Sequence, residues 1–88
     1  MKRLLLAALA ASAFSAPAFA GICIVADPSG TPLNVRAQPY GPILGALHNG
    51  TPVFPVASTI ARGEEWTRIV PANGKTGWVF RSYLECQP

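Results

Sequence analysis

Glycine and proline punctuate this chain so evenly that a helical fold has nowhere to form. Beyond Gly21 the longest stretch free of both residues is Trp78–Gln87. A helical bundle needs several uninterrupted runs of roughly 10–15 residues, because proline removes a backbone donor and glycine weakens a helix interior. What remains open is a small, turn-rich, mostly β domain. The 88 residues hold one domain at most.

The N-terminus reads as an address rather than as part of that domain. Lys2 and Arg3 precede an apolar run from Leu4 to Phe14, and Ala18-Phe19-Ala20 closes the segment. A charged start, a short apolar stretch and an A-x-A site are the marks of a secretory signal peptide, here expected to be cut after Ala20. The run is too short for a membrane span, which takes roughly 20 residues. Residues 1–20 are therefore assigned to the signal and 21–88 to the mature domain, with a periplasmic or secreted location and no transmembrane segment in the mature chain. Without Lys2 and Arg3, five of the seven basic residues remain against four acids, so the net charge falls from +3 to +1. The basic character belongs largely to the signal, and it gives no argument for nucleic acid.

A mature chain this short sits near the lower limit for stability from a hydrophobic core alone. Its two cysteines, Cys23 and Cys86, lie at opposite ends. In an oxidising compartment an even pair reads as a disulfide. The bond requires Cα atoms within about 7 Å, so the fold must bring its termini together. A zinc site has too few ligands nearby, and Ile22 is too large for the residue before a lipid-modified cysteine.

Along the chain, Ile22–Val25 suits a short strand and Asp27-Pro28-Ser29-Gly30 a turn. Leu33–Arg36 alternates apolar and polar, which places Leu33 and Val35 inward. Gln38–Pro42 is a loop, Ile43–Leu47 a strand, and His48-Asn49-Gly50 a turn with the Asn-Gly signature of a hairpin. Val53–Val56 is a strand whose Pro55 belongs at an edge or a bulge. Ala57–Gly63 reads as a loose connection. Trp66–Val70 and Thr76–Phe80 form a second Asn-Gly hairpin through Pro71–Gly74, with Gly74 expected at positive φ in a two-residue turn. Arg81–Leu84 reads as one helical turn, and Glu85-Cys86 pairs with the start. Five or six short strands at spacings of about ten residues predict an all-β barrel or sandwich.

The order of these pieces resembles the bacterial SH3-like family. Leu33-Asn34-Val35-Arg36, Ile43-Leu44-Gly45-Ala46-Leu47 and Asn49-Gly50-Thr51-Pro52-Val53 follow its opening half. Trp66-Thr67-Arg68-Ile69, Asn73-Gly74-Lys75-Thr76-Gly77-Trp78-Val79 and Ser82-Tyr83-Leu84 follow the rest. The match runs from about Thr31 to Leu84. It implies a small SH3-like barrel with a short helical turn near the C-terminus. Two departures stand out: Gln38–Pro42 is shorter and more proline-rich than the family loop, and Phe80 stands where eukaryotic relatives carry a ligand-contacting proline.

Enzyme chemistry finds little material. His48 is the one histidine, and neither Ser29, Ser58 nor Ser82 sits in a nucleophile motif. Glu64 and Glu65 are adjacent, so on a strand they point to opposite faces and make no paired-carboxylate site. Asn49-Gly50-Thr51 matches a glycosylation acceptor, which the tight turn explains better. No catalytic residue, metal site or cofactor is expected.

The aromatic residues carry the functional expectation. With Ile69 inward, Trp66 points outward; with Val79 inward, so do Trp78 and Phe80. Tyr83 projects from the final turn. The resemblance implies that Trp66, Phe80 and Tyr83 line a peptide groove flanked by the loop that holds Tyr40. The rings either form that groove or merely cover a thin barrel. The expected protein is a monomeric, non-enzymatic module that binds cell-wall peptide (peptidoglycan) or another extended ligand. An envelope-protein partner, as for an inhibitor or immunity protein, is the alternative.

Overall fold

The structure, a computed structural model, describes residues 21–72 and 74–87. The segment read as a signal peptide, with its cleavage site at Ala20, lies outside the described residues, as does Asn73. The described chain is built from seven strands: β1 (Cys23–Val25), β2 (Leu33–Arg36), β3 (Ile43–Leu47), β4 (Pro52–Ala61), β5 (Glu64–Pro71), β6 (Gly77–Phe80) and β7 (Leu84–Cys86). A single 3-10 turn, Arg81–Tyr83, joins β6 to β7. The strands form one antiparallel sheet in the order β3-β2-β6-β5-β4-β1-β7. This is the all-β, SH3-like architecture with a turn near the C-terminus, with seven strands in place of five or six.

The core sits inside the coil of that sheet. Val25 of β1, Leu33 and Val35 of β2, Val53 of β4, Ile69 of β5, Val79 of β6 and Leu84 of β7 are buried against one another. Their alternation with exposed or half-exposed neighbours is the period of a strand with one face inward. Cys23 joins the same cluster and pairs across the sheet with Cys86, the first strand beside the last. The two are disulfide-bonded with Cα atoms 3.9 Å apart. Strands β2 and β6 approach so closely that a Cβ on Gly77 would lie 2.6 Å from Val35 Cγ1 and 2.7 Å from the Arg36 carbonyl oxygen. Only glycine fits there.

Three local expectations need correction. Ala57–Gly63 is no loose connection. Strand β4 runs on to Ala61 and pairs with β5 through Ala61↔Glu64. The turn between them is Arg62-Gly63, both at positive φ (52° and 81°), the geometry of a two-residue hairpin. Pro55 does mark an irregularity, since the register shifts between Pro55 and Ala57. Asn49-Gly50 makes a turn, with Thr51 N–H donating to the His48 carbonyl at 3.1 Å. It is not a hairpin, because β3 pairs with β2 and β4 with β5 and β1. Instead it is stitched to the end of β1: Gly50 N–H donates to Val25 O at 2.8 Å, and Asp27 N–H to Asn49 Oδ1 at 2.6 Å. Finally, Gly74 has φ 114°, as expected, but β5 ends at Pro71 and β6 starts at Gly77, so the connection is wider than two residues.

Candidate functional site

Strand β5 sorts its side chains by parity. Thr67 and Ile69 face the core, opposite Val79 and Gly77 of β6. Trp66 and Arg68 therefore face outward, opposite Phe80 and Trp78. The outward direction expected for Trp66 holds, but its exposure does not. Trp66 is 1% exposed, although it is not a member of the core cluster.

Other rings bury it. Phe80, its cross-strand neighbour, lies with ring centroids 4.1 Å away at an interplanar angle of 34°. Tyr40 meets Trp66 edge-on at 4.9 Å. Tyr40 also stands 6.0 Å from Phe80, and Phe80 stands 5.7 Å from Tyr83. Tyr40, Trp66, Phe80 and Tyr83 thus come together from a loop, two strands and the 3-10 turn. Such edge-to-face and tilted pairs contribute about 0.5–1.5 kcal/mol each beyond area burial. Trp78 is half-buried on the same outer face, one row along the strands from Phe80.

The loop carrying Tyr40 is held tightly. Gly41 N–H donates to the Gln38 carbonyl at 2.8 Å and Ala37 N–H to that of Pro42 at 2.9 Å. Arg36 Nη1 donates to the Gly41 carbonyl at 2.8 Å. Tyr40 itself has φ 60°, a left-handed conformation that costs a side-chain-bearing residue roughly 1–2 kcal/mol. The Arg62 guanidinium stacks 4.5 Å from the centre of its ring. Arg62 was not among the candidate residues. The signal for it was the Arg-Gly pair between two β-branched runs, which is a hairpin only if arginine tolerates positive φ.

Beside the rings lies a cavity of about 130 Å³. It is lined by Thr31 and Pro32 of the β1–β2 loop, by Trp66, Phe80 and Tyr83, and by Asp27 and Arg36. Asp27 is engaged locally: its Oδ1 accepts from Ser29 N–H at 2.8 Å and from Ser29 Oγ at 2.6 Å. Among the described residues, the buried indole Nε1–H of Trp66 has no acceptor. A larger concavity of about 240 Å³ lies along β3, lined by Val35, Leu44–Leu47, Gly74 and Lys75. It holds none of the aromatic candidates, and the smaller cavity is the better site because Trp66, Phe80 and Tyr83 line it.

His48 is exposed at its turn, and Ser58 Oγ donates to Glu65 Oε2 at 2.8 Å on the distal β4–β5 hairpin. No group of three or more metal-ligating side chains occurs among the described residues. No helix among them is long and apolar enough to cross a membrane.

No curated protein and no solved structure gives a significant match to the chain. The single antiparallel sheet and the 3-10 turn before the last strand are consistent with a small SH3-like fold. Residues 31–85 match the model of the bacterial SH3 domain, and the chain belongs to that family.

Proposed function

We propose that the protein is a non-enzymatic binding module, exported after cleavage at Ala20, that takes an extended peptide in the cleft beside Trp66, Phe80 and Tyr83. Bacterial SH3 domains are generally binding modules, often related to the cell wall. Cell-wall peptide is accordingly the first ligand to test. The observation that carries the reading is the convergence of Trp66, Phe80 and Tyr83 on one cavity of about 130 Å³. An extended peptide laid against Phe80 and Tyr83 would cover the rings with its apolar side chains. Tyr40 and Arg62 flank this surface and hold it in one shape, so little ordering is needed on binding.

A pull-down on purified peptidoglycan tests the ligand. Retention of the mature protein, lost with Tyr83→Ala, supports the cell wall. Failure to be retained, with specific capture of one envelope protein, supports the second reading, an inhibitor or immunity-type role. That reading is favoured by β3, an edge strand whose Ile43 (54% exposed) and Leu44 (40% exposed) are unusually open for large apolar side chains. Mass spectrometry of the exported protein should find its N-terminus at Gly21; an intact Met1 would overturn the assigned location.

A further inference from the structure

The outer face of the sheet carries a second row of side chains alongside the aromatic cleft. Arg36 of β2 stands opposite Trp78 of β6, and Trp78 stands opposite Arg68 of β5. Register alone puts all three on the same outward face, since Val35, Val79 and Ile69 beside them are core. Arg68 is exposed, while Trp78 and Arg36 are half-buried. Arg36 also borders the cavity beside Trp66 and Phe80, so the row is continuous with the cleft.

The charged side chains of the row are both basic. Arg36 donates one N–H to the Gly41 carbonyl, a neutral acceptor. The Asp27 carboxylate also lines the cavity and is held by Ser29, but it belongs to the β1–β2 loop and not to this row. Glu65 points away from the outer face, as the neighbour of Trp66 in the strand, and accepts from Ser58. Glu64 does share the outward side of β5, but four residues separate it from Arg68, about 13 Å along a strand. Trp66 lies between them. The end of the face that holds Trp78 thus places two arginines, one on either side of an indole.

We propose that this row selects a carboxylate: the ligand of the cleft is an extended peptide carrying an acidic group, seated between Arg36 and Arg68 over Trp78. The proposal rests on the peptide-cleft reading above and adds the sign of the ligand's charge. Guanidinium groups bind carboxylates in a planar, two-point geometry. An exposed pair of this sort is worth roughly two- to fivefold in affinity at low salt, and its effect is screened as salt rises.

Three blocked peptides of alternating proline and glutamate, glutamine or lysine test the sign, titrated against the full mature protein with tryptophan fluorescence as the readout. A fourth probe, the glutamine peptide with a free C-terminal carboxylate, separates a terminal acid from a side-chain acid. The glutamate peptide, or the free-acid glutamine peptide, should bind about two- to fivefold more tightly than the blocked glutamine peptide. That advantage should shrink in 0.5 M salt and in Arg68→Gln, an exposed substitution that leaves the fold intact. Binding of both acidic probes no tighter than that of the blocked glutamine peptide, a preference for lysine, or an advantage unchanged by Arg68→Gln would overturn the proposal while leaving the cleft in place. Absence of binding by all four would overturn the cleft reading and this proposal with it.

Discussion

Trp66 joins the stability of the domain to its proposed site, so its replacement gives the sharpest test of the structure. At 1% exposure, packed by Phe80 at 4.1 Å and Tyr40 at 4.9 Å, its truncation removes a whole buried ring and its aromatic contacts. Aromatic-to-alanine changes at such positions cost about 3–5 kcal/mol. A domain of this size has a total stability on the order of 3–10 kcal/mol. Trp66→Ala should therefore lower the Tm by more than about 12 °C, at roughly 4–8 °C per kcal/mol, or leave the chain unfolded. Trp66→Phe behaves differently. It loses some volume, at a cost of about 1–2 kcal/mol, but also removes the unpaired buried N–H, which recovers about 1–3 kcal/mol. The two roughly cancel, so the Tm should stay near that of the parent. Urea and thermal melts followed by circular dichroism measure both variants, with peptidoglycan retention run in parallel. A Trp66→Ala protein that melts like the parent would refute the buried placement of the ring. A Trp66→Phe protein that melts far below the parent would refute the unpaired state of its N–H.

Other perturbations read other parts of the fold. Gly77→Ala forces a methyl to within 2.6 Å of Val35 Cγ1 and should destabilise by about 1–3 kcal/mol, whereas Gly45→Ala, with nothing within 4 Å, should show no such clash; a urea midpoint for each decides. Replacing both Cys23 and Cys86 by alanine opens a link of sequence separation 63 and should cost about 4 kcal/mol by chain entropy, and thiol labelling of the native protein should find no free cysteine. Arg62→Ala removes the cation stacked on Tyr40 and should cost about 0.5–1 kcal/mol, with greater acrylamide quenching of Trp66 in a Trp78→Phe background. Unchanged quenching would mean that Arg62 does not hold Tyr40 over the indole.

Where burial writes the pattern, the fold was legible. Leu33–Arg36 and Ile43–Leu47 appear as strands at the boundaries expected, and Leu33, Val35, Ile69 and Val79 face the core as their alternation required. The paired cysteines implied adjacent first and last strands, and β1 lies beside β7. Elsewhere the pattern is weak for physical reasons. The half of the β4–β5 hairpin near Ala61 and Glu64 contributes nothing to the core, so Ala57–Ala61 shows no clear alternation and reads as loop. Asn49-Gly50 signals a turn but not which strands flank it, and here the chain crosses to a new neighbour. Parity fixed the face of Trp66. Its burial depended on Tyr40, which lies 26 positions earlier in sequence on a loop, and no local pattern reports such a contact.

The same contact changes how the two readings of the aromatic residues relate to each other. A groove and a protective cover look like alternatives only if each ring has one role. The barrel interior here is filled by side chains no larger than leucine and isoleucine, apart from a small disulfide and Thr67. A core of that size contributes little stability in so short a chain. Packing Trp66 beneath Tyr40 and Phe80 adds a second apolar layer on the outer side of the sheet. The indole can then anchor the floor of a cleft without being exposed itself, while Phe80 and Tyr83, both half-buried, present their remaining surface to a ligand. Tyr40, held at φ 60° by its loop and by Arg62, closes one side. A ligand that engages this surface meets rings already fixed by the folding of the domain, so the contacts that stabilise the fold also reduce the ordering cost of binding.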